Sequence, residues 1–150
     1  MRDLNLLPDL ELALIQSELD WHDAAANRSR FEPLLEQARG ADLVILPEMF
    51  STGFSMHSAE LAEPEQGPTT DWLREQAMAL GAVVTGSLII QAADGSYRNR
   101  LLWVRPDGTL AHYDKRHLFR MAGEHKHYAA GDEQVLLDVK GWQVRPLICY

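Results

Sequence analysis

Apolar residues along this chain fall either into short continuous runs, suited to buried strands, or into helical spacing. Residues 11–19 (ELALIQSEL) open as an apolar strand. After them Ala24, Asn27, Phe31, Leu34, Leu35 and Ala38 recur at helical spacing, up to a stop at Gly40. Residues 42–46 (DLVIL) form a run without polar alternation, the pattern of a strand covered on both faces. A second helix is expected over residues 71–80, with Thr70 as N-cap, Leu73, Ala77 and Leu80 as its buried stripe, and Gly81 in the left-handed position that ends it. Residues 82–90 (AVVTGSLII) then read as another apolar strand, in which Gly86 marks a close approach by a neighbouring backbone. This strand–helix–strand rhythm predicts an α/β fold.

The rest of the chain changes to hairpins. Residues 100–105 and 109–113 flank Pro106-Asp107-Gly108, and residues 134–139 and 142–150 flank Lys140-Gly141. Between the hairpins lies an irregular, His-rich segment, residues 115–131. Residues 62–70, with Pro64, Gly67 and Pro68, read as a loop. There is no internal repeat or long linker, so one continuous unit is the simplest organisation.

Composition narrows the possible partners. The chain has 150 residues, 46% hydrophobic and 24% charged, a globular mix that excludes disorder. Fourteen Lys and Arg against twenty-two Asp and Glu leave a net charge of −8, which opposes binding to nucleic acid or to an anionic membrane. Cys149 is the sole cysteine, so no intramolecular disulfide can form, and a reducing compartment, the cytoplasm, is expected. Asp3, Asn5, Pro8 and Asp9 interrupt the first leucines as no signal peptide would, and no apolar run approaches the roughly 18 residues of a membrane span.

Three positions carry candidate chemistry. Glu48 follows the buried strand by one residue after Pro47, at a strand's carboxyl end where α/β folds place ligands; position alone leaves it open between a general base and a solvated loop carboxylate. Lys115 ends a hairpin strand and is suited either to stabilising a developing oxyanion or simply to a charged strand end. Cys149, after Pro146-Leu147-Ile148, is a nucleophile or an inert small hydrophobe within an apolar strand. His117, Glu124, His125 and His127 cluster without a strong metal-ligand spacing, and no metal is expected. Trp21, Trp72, Trp103 and Trp142 are scattered as core or edge residues.

The motifs around these positions occur together in one family. LPEMFSTGFSM (residues 46–56), YDKRHLFRMAGEHKHYAAG (113–131) and RPLICY (145–150), with GSLII (86–90) and YRNRLLWVRPDG (97–108), resemble the nitrilase, or carbon-nitrogen hydrolase, superfamily and most closely its bacterial omega-amidase-like branch. The resemblance spans essentially the whole chain. It implies an α-β-β-α sandwich, four-layered in the complete domain, with residues 1–150 as its N-terminal portion, incomplete after Tyr150. It also implies a Glu-Lys-Cys triad on Glu48, Lys115 and Cys149, a second glutamate at Glu124, and a homodimer or higher homo-oligomer.

The implied chemistry needs no cofactor or metal. Glu48 takes the thiol proton of Cys149, whose sulfur attacks an amide carbonyl. Lys115 and the backbone N–H of Tyr150 stabilise the oxyanion. Glu48 or Glu124 returns a proton to the departing ammonia, and water activated by Glu48 hydrolyses the thioester. The implied substrate is the terminal amide of a small 2-oxo acid, such as 2-oxoglutaramate or 2-oxosuccinamate. A nitrilase or carbamoyl hydrolase with the same triad, and a non-catalytic binding subunit or fragment, are the alternatives. Two helices are too few to cover the expected sheet, so residues 1–150 alone are expected to be inactive and to aggregate or associate.

Overall fold

The computed structural model of the chain describes residues 6–149. Its elements are β1 (Leu12–Leu14), α1 (Ala24–Gln37), β2 (Leu43–Ile45), α2 (Ser58–Leu61), β3 (Glu63–Pro64), α3 (Pro68–Leu80), β4 (Val83–Gln91), β5 (Tyr97–Val104), β6 (Leu110–Asp114), β7 (Leu137–Val139) and β8 (Trp142–Val144). The main sheet runs β1-β2-β4-β5-β6, with β3 pairing to β4, and β7-β8 form a separate hairpin. β1, β2 and β4 are parallel, whereas β4, β5 and β6 are antiparallel. The connections dictate this mixture. Parallel neighbours need crossovers, supplied by the segments holding α1 and α3, while short turns join antiparallel ones.

Successive residues of the buried strands serve different cores. Val44 of β2 and Val84, Leu88 and Ile90 of β4 meet α1 and α3 through Phe31, Leu35, Leu73 and Ala77. Leu43 and Val83 point the other way, into a core with Leu101, Trp103 and Tyr113 that Leu137 and Val139 of the β7-β8 hairpin close over. This is the two-sided burial that the unalternated apolar runs predict. Among the described residues no helix is long and apolar enough to cross a membrane.

Several expected boundaries move. The strand expected over residues 11–19 is only Leu12–Leu14, because its partner β2 is equally short and the last bond, Ile15 N–H to the Ile45 carbonyl, ends the ladder. The expected loop over residues 62–70 contains β3 and the start of α3. Thr70 is not the N-cap: Gly67 is, and Pro68 takes the first helical position, where its missing N–H costs nothing. Glu63 caps this helix from outside instead, accepting from Thr69 N–H at 2.7 Å. The last hairpin is shorter than 134–139 and 142–150, and Pro146 lacks the N–H that would extend β8. Cys149 therefore lies outside any strand.

Candidate active site

Glu48 sits on a turn fastened from two sides. The Leu46 N–H donates to the Thr85 carbonyl at 2.7 Å, and Pro47 then takes the chain out of the ladder. The turn wraps around Ser87 of β4, whose Oγ accepts from Met49 N–H at 2.9 Å and whose carbonyl accepts from Phe50 N–H at 3.1 Å. Met49, fully buried, is held at φ 48°, a left-handed conformation unusual for a residue with a side chain. A Cβ at Gly86 would stand 2.8 Å from Leu46 Cβ and from Phe50 Cδ1, so only glycine lets the turn lie this close to β4. From α1, the Asn27 amide donates to the carbonyls of Ser51 at 2.8 Å and Asp20 at 2.7 Å.

Lys115 directly follows β6, with its N–H donating to the Asn99 carbonyl and its own carbonyl accepting from Gly131 N–H, each at 3.0 Å. Its ammonium donates to Glu48 Oε1 at 2.7 Å and to Glu124 Oε2 at 2.9 Å. The Lys115 side chain is 1% exposed, Glu124 0% and Glu48 28%. Burial alone would lower the lysine pKa, but the hydrogen bonds and charges of the two carboxylates outweigh it and hold the group above its ordinary value. The ammonium also stands 5.2 Å from the centre of the Phe54 ring.

The two carboxylates are not equivalent. Glu124 Oε2 accepts from Lys115 and, at 2.6 Å, from Phe119 N–H, while its Oε1 accepts from Asn99 Nδ2 at 3.1 Å. Glu48 Oε1 accepts from both Lys115 and Asn99, each at 2.7 Å, and among the described residues its Oε2 has no partner. Glu48 thus keeps one oxygen without a donor, whereas both oxygens of Glu124 accept hydrogen bonds. Tyr128, buried near Glu124, donates to the Ser55 carbonyl at 2.5 Å, and burial reinforced by Glu124 pushes its phenol pKa upward.

Cys149 is exposed and has φ 61°, again in the left-handed region. Together with Glu48 it lines a pocket of about 140 Å3 walled by Ile45, Thr85, Gly86, Leu101 and Leu147. The larger hollows, about 640 Å3 beside Arg116 and Arg120 and about 460 Å3 beside His57 and His127, include none of Glu48, Lys115, Glu124 or Cys149. His117 and His125 border the first of these hollows, and no metal-binding group of three His, Cys, Asp or Glu residues occurs among the described residues. The structure therefore brings Glu48, Lys115 and Glu124 into direct contact and puts Cys149 in the pocket of Glu48. The expected oxyanion donor, the Tyr150 backbone N–H, lies outside the described residues.

Sequence reasoning missed Asn99. This residue of β5 is 1% exposed, and its Nδ2 bridges both carboxylates. The available signal was its alternation with Leu101 and Trp103, which places a polar side chain on a core-facing position of an apolar strand. Donating twice leaves its Oδ1 buried without a partner among the described residues, at a cost of about 1–3 kcal/mol.

The sequence pattern of the family described as carbon-nitrogen hydrolase matches residues 11–150. Omega-amidase YafV of Yersinia enterocolitica is 49% identical over 141 residues, covering 94% of this chain and 54% of that protein. 2-Oxoglutaramate amidase of Bacillus subtilis is 26% identical over 142 residues, covering 93% of this chain and 55% of that protein. The crystal structure of XC1258 from Xanthomonas campestris, described as a CN-hydrolase superfamily protein with an arsenic adduct in its active site, superimposes with a TM-score of 0.92. It is 48% identical, with 96% of this chain and 54% of that one covered. The chain spans about half the length of the curated relatives it matches, as the N-terminal portion of the nitrilase-type α/β fold would.

Proposed function

Because this chain belongs to the carbon-nitrogen hydrolase family, we propose that it carries the Glu48-Lys115-Cys149 triad of an omega-amidase, which releases ammonia from the terminal amide of a small 2-oxo acid such as 2-oxoglutaramate. The observation that carries this reading is Lys115 clamped between Glu48 and Glu124 while Cys149 faces the pocket of Glu48. Kinship with proteins named omega-amidase and 2-oxoglutaramate amidase favours the substrate.

The residue types assign the steps. Glu48 Oε2 takes the thiol proton as Cys149 Sγ bonds to the amide carbonyl carbon. An ammonium has three N–H donors; two are engaged by Glu48 and Glu124, and the third is available to the oxyanion. The backbone N–H of Tyr150 is the second donor in this scheme. Glu48 returns its proton to the nitrogen, the C–N bond breaks and ammonia leaves a thioester. Water, deprotonated by Glu48, then attacks the thioester; the thiol leaves with that proton, and the product is freed as the carboxylic acid, which gives up its own proton to solvent. Glu124, both of whose oxygens already accept hydrogen bonds, holds Lys115 rather than carrying the proton in this scheme.

The test is ammonia release by the whole protein from 2-oxoglutaramate, compared with a matched nitrile and a carbamoyl compound. Preferred hydrolysis of the amide, and loss of at least about three orders of magnitude in Cys149→Ala, are expected. Preference for the nitrile or carbamoyl compound would replace the substrate assignment. More than a few per cent activity in the alanine variant would eliminate the thioester route, and absence of both hydrolysis and thiol reactivity would leave a binding subunit.

A further inference from the structure

We propose that Asn99 is a positioning residue of this hydrolytic site, its one amide nitrogen fixing Glu48 and Glu124 around Lys115 so that Oε2 of Glu48 is the oxygen left to handle the proton. The inference rests on the amide-hydrolase reading above and adds a residue to it.

A lysine ammonium is a compact charge whose donors rotate freely, and by itself it does not fix the planes of two carboxylates. Asn99 supplies a planar fork: one N–H goes to Glu48 Oε1 at 2.7 Å and the other to Glu124 Oε1 at 3.1 Å. With the Lys115 contacts at 2.7 and 2.9 Å, each carboxylate is held by two different side chains. Its backbone is equally fixed, since Asn99 pairs with Ile89 across β4-β5 and its carbonyl accepts the Lys115 N–H. The amide orientation follows from the network, because turning it over would aim Oδ1 at two carboxylates. The chosen orientation leaves Oδ1 buried without a partner among the described residues. Packing alone does not explain that, since Leu101 and Trp103 fill the same face of β5 with apolar groups.

The titratable groups around Glu48 are Lys115 after β6, Glu124 of the turn that follows it, and Cys149 across the pocket, with Tyr128 behind Glu124. Amide donors favour a charged carboxylate, so removing them moves proton uptake to higher pH. In the whole protein, Asn99→Leu should lower turnover about tenfold or more with KM within about twofold, and displace the acid limb of kcat/KM upward by about half a pH unit or more. Asn99→Asp, of equal size, should displace the limb in the same direction by adding a third carboxylate.

Iodoacetamide alkylation of Cys149 across pH reads the same limb without a substrate. A wild-type protein that hydrolyses none of the offered amides, with the alkylation limb still shifted in the variants, would remove the proposed function and retain the positioning role. Folded variants with unchanged turnover and limb overturn the positioning role. So does failure of both variants to fold, which assigns Asn99 to structure alone.

Discussion

Lys115 Nζ stands 2.9 Å from Glu124 Oε2, with the two side chains 1% and 0% exposed. In a pair this sealed from water desolvation offsets much of the attraction, and it takes Glu48 and Glu124 together to keep the Lys115 pKa above its ordinary value. The pair's loss is nevertheless severe when only one partner is removed, since the other stays buried as an uncompensated charge.

Lys115→Met is therefore expected to lose both catalysis and stability. In the proposed role of oxyanion donor Lys115 acts in the transition state, so turnover should fall far more than KM changes. Thermal melting should show a loss of about 3–5 kcal/mol. Normal turnover with only a raised KM would identify Lys115 as a substrate-binding residue.

Gly86→Ala tests the turn that carries Glu48. The added methyl would meet Leu46 and Phe50 at 2.8 Å, and these flank Glu48 in sequence. Overpacking here should cost about 1–3 kcal/mol in a denaturant melt. Activity per folded molecule should drop as Glu48 shifts, and unchanged activity would show that the turn tolerates displacement.

Alkaline pH should destabilise the fold. The Lys115 pKa is raised against burial by Glu48 and Glu124, and that of Tyr128 is raised by burial and by Glu124. For both groups the folded state holds its proton more tightly than the unfolded chain. Their contribution is complete below the unfolded values, near pH 10, and is lost as pH rises through the folded ones. Melting temperatures measured from pH 8 to 11 should fall above about pH 10, and Tyr128→Phe should flatten part of that decline. A flat profile in the wild type would contradict the raised values.

The sequence by itself determined the main helices and strands and named most of the candidate site residues. The period of 3.6 placed α1 and α3, and unalternated apolar runs placed the doubly buried strands β2 and β4, because burial on one stripe or on both faces leaves a readable pattern. Gly86 was legible as a close approach, though the side chains of Leu46 and Phe50 make it rather than a neighbouring backbone, and the motifs around Glu48, Lys115, Glu124 and Cys149 identified the family. Tertiary structure decided what each group does beside the others. β1 stops where its partner stops, and Glu63 caps α3 from six residues before Thr69, so neither is a property of the local sequence. Cys149 leaves the expected strand because the ladder beyond β8 is not made. Asn99 has no motif of its own. Its role arises because the β4-β5-β6 register sets it beside Lys115 and beside the turn carrying Glu48, and which carboxylate oxygen stays free is fixed by four hydrogen bonds, three of them between residues 25 or more apart in the chain.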